Sequence, residues 1–159
     1  MSPAHRVPAQ DEKPPSAQIA VEALQRALAS EHAAVWAYSL ALAFVAPDVR
    51  ARVESDLGAH KKLRQDVSAA LTELAERPVS AQPAYSPPQP VADAESAYQL
   101  LATAETDTIA GWRSLVERAP NPDMRSAGLT RMTDSTIRCA FWRGVTDQTP
   151  RVPVFPGRV

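Results

Sequence analysis

Proline placement constrains this chain more than any other feature, because each proline removes a backbone donor and clashes with the helical turn before it. The 15 prolines of the 159-residue sequence gather in the N-terminal segment, at residue 47, from 78 to 90, at 120 and 122, and from 150 onward. Between them lie four proline-free runs, 16 to 46, 48 to 77, 91 to 119 and 123 to 149, each as long as a long helix. Start signals stand where the runs begin: Ser16 behind Pro14-Pro15, Asp48 behind Pro47, Asp93, and Asn121 with Pro122 are residues that favour a helix N-cap. Abundant Ala, with only three each of Phe, Tyr and Trp, argues against a sheet. The predicted fold class is all-α, with four helices.

The connections then set the topology. Short joins at 47 and at 120 to 122 force antiparallel hairpins. The proline-rich segment from Pro78 to Ala92 should be extended; at about 3.1 Å per residue it reaches roughly 45 Å. A helix of about 28 residues is about 42 Å long, so this crossover can run the length of a bundle and deliver helix 3 parallel to helix 2, with Tyr85 and Val91 pinning it to the surface. The prediction is an antiparallel four-helix bundle with ferritin-like topology over residues 16 to 149, a disordered arm over 1 to 15, and an extended tail over 150 to 159.

Charge and cysteine content narrow the partners. A formal net charge of -1 and no basic run beyond Lys61-Lys62 leave no footprint for nucleic acid or an anionic membrane surface. No apolar run has membrane-spanning length. A single cysteine, Cys139, forms neither an internal disulfide nor a multi-cysteine metal site, and the proline-rich N-terminus has no apolar leader, which points to a cytoplasmic chain. Fourteen Arg against three Lys, with the Ala and Pro content, suggest a GC-rich bacterial genome.

Polar residues interrupt the apolar seams. Leu24, Leu28, Val35, Tyr38, Leu42 and Val45 follow helical steps through position 31, which is Glu31. Val53, Leu57, Val67, Leu71 and Leu74 run through His60 and Arg64; Tyr98, Leu101, Trp112 and Leu115 through Glu105 and Thr108; Ala127, Phe141 and Val145 through Arg131, Asp134 and Arg138. Glu31 to His60 and Glu105 to Asp134 are both 29 residues, and Arg64 and Arg138 each follow four later, as in duplicated hairpins. A carboxylate on a bundle seam costs several kcal/mol, on the order of 3 to 5, unless it is paired or bound to a cation. Two readings meet that requirement. In one, Glu31, His60, Glu105 and Asp134 hold iron or manganese; in the other, the same residues with Arg64 and Arg138 form a metal-free polar layer.

The segment Glu31-His32-Ala33-Ala34-Val35-Trp36-Ala37-Tyr38, His60 with Arg64 and Asp66, Tyr85, Glu105 with Trp112-Arg113, Trp142-Arg143 and Phe155-Pro156-Gly157 together resemble the bacterial ferritin-like domain family of unknown function, over about residues 17 to 157. The resemblance implies a ferritin-like bundle, often a small homo-oligomer, and no settled activity. The wider superfamily holds two metals with Glu, Glu-x-x-His, Glu and Glu-x-x-His on successive helices. Glu31 and Glu105 match its single glutamates and His60 matches the first His, but Leu57 stands where a glutamate is needed, and Asp134 is followed three later by Ile137. The ligand set is therefore reduced, and Arg64 and Arg138 would balance the carboxylates without a metal. The expectation is a non-catalytic module with no catalytic residue and no cofactor, the alternative being a metal-binding protein or oxidase with a reduced iron or manganese site.

Helix 1 carries a second apolar stripe, Trp36, Leu40 and Phe44. Such a stripe needs a second partner. A homodimer through this face is expected, with the tail residues Val152, Val154 and Phe155 as the competing cover and a protein partner as a further possibility. The three Trp residues are expected in the core or at the dimer seam, Cys139 is expected to be an inert buried thiol, and Gly58 is a candidate for opened space beside His60.

Overall fold

The computed structural model describes residues 14–152 and 154–156. Four helices follow the proline divisions: α1 (Pro15–Ala41), α2 (Pro47–Glu73), α3 (Ala94–Arg118) and α4 (Pro122–Val145). Residues 1 to 13 of the expected arm lie outside the described residues, and Pro15 already belongs to α1. Two of the four expected caps form. Asp93 accepts from the Ser96 backbone amide at 2.9 Å while the Ser96 hydroxyl accepts from the Asp93 amide at 3.1 Å, a capping box, and Asn121 Oδ1 accepts from the Met124 amide at 2.7 Å. Ser16 and Asp48 do not cap. Pro15 and Pro47 take the first helical turn, so the N-cap positions fall on Pro14 and Ala46, which offer no side-chain acceptor.

Helix α1 packs against α2 and α3, and α3 against α4. Pairs of contacts give the directions: Leu42 meets Arg50 while the earlier Glu31 meets the later His60, Tyr38 meets Glu105 while Glu31 meets the later Trp112, and Glu105 meets Arg138. Hence α1 is antiparallel to both neighbours, and α2 and α3 run parallel. The chain is a ferritin-like, all-α four-helix bundle. Among the described residues α2 and α4 approach each other less closely; Arg52 lies over the Phe141 ring at 4.5 Å at one end of their seam. At the other end the seam opens into an apolar cavity of about 360 Å³ that reaches Leu24, Leu63, Trp112 and Leu115.

The crossover lies on α1. The Gln25 side chain donates to the Arg77 carbonyl and accepts from the Val79 amide, both at 2.8 Å; His32 Nε2 is 3.0 Å from the Val79 carbonyl; Trp36 and Tyr85 rings are 5.7 Å apart. Val91 packs against the cluster that takes Leu40 and against the one that takes Phe44. The second stripe of α1 is therefore covered by the crossover of the same chain. Trp36, Leu40 and Phe44 remain half-buried beneath it, so part of this stripe still faces outward. Residues 153 and 157 to 159 of the expected tail lie outside the described residues. The tail carbonyls at Pro150 and Pro156 accept from Arg143 and Arg113, at 2.8 and 3.1 Å, and Val154 and Phe155 are exposed.

Two apolar clusters divide the bundle along its axis. One gathers Tyr38, Val53, Leu57, Tyr98, Leu101 and Trp142, the other Leu24, Leu28, Leu63, Val67, Leu71, Trp112 and Leu115. Glu31, His60 and Glu105 occupy the level between them. No described helix is long and apolar enough to cross a membrane.

Candidate functional site

Glu31 from α1, His60 from α2 and Glu105 from α3 are fully buried. His60 Nδ1 lies 2.7 Å from Glu31 Oε2, and its Nε2 lies 2.9 Å from Glu105 Oε1. A neutral imidazole has one donor and one acceptor nitrogen, whereas the protonated ring has two donors. With both carboxyls ionised, the two contacts require an imidazolium. Burial alone would lower the His60 pKa, but the hydrogen bonds and negative charges of Glu105 and Glu31 together outweigh it and hold it up to about 9.

The remaining lone pairs of both carboxylates are taken by side chains of three helices. Trp112 Nε1 donates to Glu31 Oε1 at 2.7 Å. Glu105 Oε1 also accepts from the Tyr38 hydroxyl and, at 3.0 Å, from Arg138 Nε, while the Thr108 hydroxyl, donated to the Glu105 carbonyl at 2.9 Å, stands 3.4 Å from Glu105 Oε2. Arg138 donates further to Ser135 Oγ at 3.3 Å, and Trp142 Nε1 to the Tyr38 oxygen at 2.8 Å. Burial pushes the Glu105 carboxyl up, but the His60 hydrogen bond and charge, with the Arg138 charge and the Tyr38 hydroxyl, bring it below its ordinary value. Burial, and after it the charge of Glu105, pushes the Tyr38 hydroxyl well above its ordinary value, so it remains a donor. Two carboxylates face one imidazolium and one guanidinium.

Asp134 does not join them. Its side chain is 45% exposed and sits 4.0 Å from Arg131. The buried residues of α4 are Gly128, Ser135, Arg138, Cys139 and Trp142, so the buried face is one residue out of phase with the expected seam, and one residue is about 100° of helix rotation. Phe141 and Val145, which suggested that seam, are 36% and 40% exposed. The equal 29-residue spacings therefore do not reflect equal placement. Arg64 is also a correction: the buried face of α2 runs through Leu57, His60, Leu63, Val67 and Leu71, and half-buried Arg64 contacts neither carboxylate. Gly58 opens no space at His60, since it faces outward with nothing near its missing Cβ. Cys139 is fully buried, and that burial raises its thiol pKa.

Helical spacing alone missed Tyr38, Trp112, Ser135 and Trp142 as members of the network. Tyr38 and Trp112 lie on apolar seams and read as core. The available signal was their polar tips, because a buried Tyr hydroxyl or Trp N–H ordinarily finds a partner and the nearest acceptors on those seams are glutamates.

The family model for a domain of unknown function, DUF4439, matches residues 23–159. The chain belongs to this family. A conserved hypothetical protein, rv2844 from Mycobacterium tuberculosis, is 30% identical and superimposes with a TM-score of 0.80 over 89% of this chain and 99% of that one. A structure described as a ferritin-like, diiron-carboxylate protein from Bacillus anthracis superimposes with a TM-score of 0.73 over 84% of this chain and 99% of that one, at 16% identity, a likeness of fold. No curated protein matches the sequence.

The residues brought together do not fit the metal pair that the ferritin-like fold implies. Leu57 and Ser135 stand where carboxylate ligands would be needed, Arg138 stands where the second histidine would be, and Glu105 Oε1 is shared by three donors.

Proposed function

We propose that this DUF4439 protein is a non-catalytic ferritin-like module whose central level is held by a metal-free, charge-balanced network. The observation that carries this reading is His60, both of whose nitrogens point at carboxylates. A metal ligand would have to present a bare nitrogen. Arg138 supports the same reading, since its guanidinium supplies a fixed positive charge at Glu105. In this role the network specifies how the helices align, because it ties α1, α2, α3 and α4 together at one level, and the function is exercised through the outer surface.

Elemental analysis tests it on protein purified without metal-affinity chromatography and then incubated with iron(II) or manganese(II). The expected result is less than one bound metal in ten chains after gel filtration, on the order of background. A stoichiometric metal that disappears in Glu105→Gln would establish the alternative, a reduced iron or manganese site on Glu31, His60 and Glu105. A second arm uses the triple variant Leu57→Glu, Ser135→Glu, Arg138→His, which restores the superfamily's ligand types at the buried positions of α2 and α4; metal uptake by this variant and not by the natural sequence is the expected contrast.

A further inference from the structure

On the outer side of the α1–α3 pair, away from the buried network, the crossover roofs a small cavity of about 150 Å³. Its walls include Trp36 from α1, Tyr85, Pro87 and Pro88 from the crossover, and Asp107 from α3. The Trp36 and Tyr85 rings stand 5.7 Å apart at 48°, two aromatic walls meeting at an angle. Tyr85 is held in place, because its oxygen accepts from the Gln82 amide at 3.1 Å. Asp107, an exposed residue at the edge of the recess, has no ion pair among the described residues, and partial loss of water around its carboxyl raises its pKa. One carboxylate and two aromatic rings thus line a largely apolar recess.

We propose that this recess binds a small alkylated ammonium ion, with the cation against the Trp36 and Tyr85 rings and its charge countered by Asp107. Ring faces attract cations within about 6 Å of the centroid, Trp most strongly. The lining favours the alkylated form. Most of the wall is ring, proline, alanine and leucine surface. A bare ammonium is strongly hydrated and would have to shed that water against mostly apolar surface, whereas methyl groups are buried there favourably. A trimethylammonium group has no donor to satisfy. Size agrees: the cavity has the volume of about five waters, the scale of a group with four heavy atoms, and lies below the roughly 300 Å³ at which pockets for drug-sized ligands begin.

Titration calorimetry of the full chain with choline, and with its uncharged carbon isostere 3,3-dimethylbutan-1-ol, tests the proposal. Choline should bind saturably at one site per chain, and the isostere at least about tenfold more weakly, the range expected when a desolvated cation–π contact is lost. Asp107→Asn should weaken choline by about tenfold without moving the melting temperature, since Asp107 is exposed at the rim and makes no ion pair among the described residues. Trp36→Leu should weaken it similarly; should that variant loosen the crossover, Tyr85→Phe serves as the control, keeping the ring and losing only the hydroxyl, and should still bind choline. Equal binding of the isostere, undiminished binding by Asp107→Asn, or no saturable choline binding by the natural sequence overturns the proposal.

Discussion

Arg138 is the residue on which the buried charge depends. Its side chain is 11% exposed and donates to a fully buried Glu105. Arg138→Ala leaves that carboxylate short of a cation and is expected to cost about 3 to 5 kcal/mol in a denaturant titration. Arg64→Ala, four residues beyond His60 but outside the network, should unfold within about 0.5 kcal/mol of the natural protein. The protonation of His60 sets a second expectation. Its folded pKa of about 9 lies above the ordinary 6.5, so its contribution is complete below pH 6.5 and is lost as pH climbs through 9. Glu105 is held below its ordinary 4.5, so its contribution is present above that value and is lost as pH falls through the lower, folded one. Stability should therefore be greatest between about pH 4.5 and 6.5 and decline by about 3 kcal/mol toward alkaline pH, since each pH step between the unfolded and folded His60 values is worth about 1.4 kcal/mol. Unfolding midpoints measured across this range for the natural protein and His60→Gln check the assignment; a parallel decline in both would remove His60 from it.

At the scale of the helices, two glycines separate a tolerated cost from a needed one. A Cβ on Gly58 would meet nothing within 4 Å, whereas one on Gly111 would stand 2.5 Å from Ser30 Oγ and 3.3 Å from the Ala27 Cα. Gly58→Ala should thus stabilise the protein by about 0.5 to 1 kcal/mol through helix propensity alone. Gly111→Ala should destabilise it, because α1 and α3 meet closely there, and Ser30→Ala in the same chain should recover part of the loss. Thermal unfolding of the three variants gives the order. The cap of α4 follows the same logic: Asn121→Ala removes the acceptor of the Met124 amide and should cost about 1 kcal/mol.

For the whole molecule, the crossover is the part that determines which surface α1 shows. Val91 is wedged against the clusters that take Phe44 and Leu40, and Tyr85 meets Trp36. Val91→Ser should loosen this segment, raise amide exchange through residues 79 to 91, and bare Trp36 and Leu40. A bared stripe of this kind is an association surface. Light scattering over a range of concentrations should then show the variant gaining mass relative to the natural sequence. Unchanged exchange and unchanged mass would mean that the crossover is anchored by its hydrogen bonds to Gln25 and His32 instead.

Local chemistry determined the helices by itself. Prolines act on their own turn, whatever surrounds them, so the division into four helices and the crossover between them were legible in the sequence, although α1 and α2 begin on Pro15 and Pro47 and not behind caps at Ser16 and Asp48; so were Glu31, His60 and Glu105, whose neighbours at helical steps are strongly apolar. Helix α4 was different. It buries few residues, and both of its candidate faces carry an aromatic side chain, Phe141 on one and Trp142 on the next. Spacing cannot choose between faces about 100° apart when each is half apolar. The choice was made by the tertiary structure: Trp142 finds an acceptor in Tyr38 and Arg138 finds Glu105, partners on other helices, while Phe141 is satisfied at the surface under Arg52. The same holds for the second stripe of α1, whose partner lies far along the chain, at Tyr85, and became visible only when the crossover was laid along the helix.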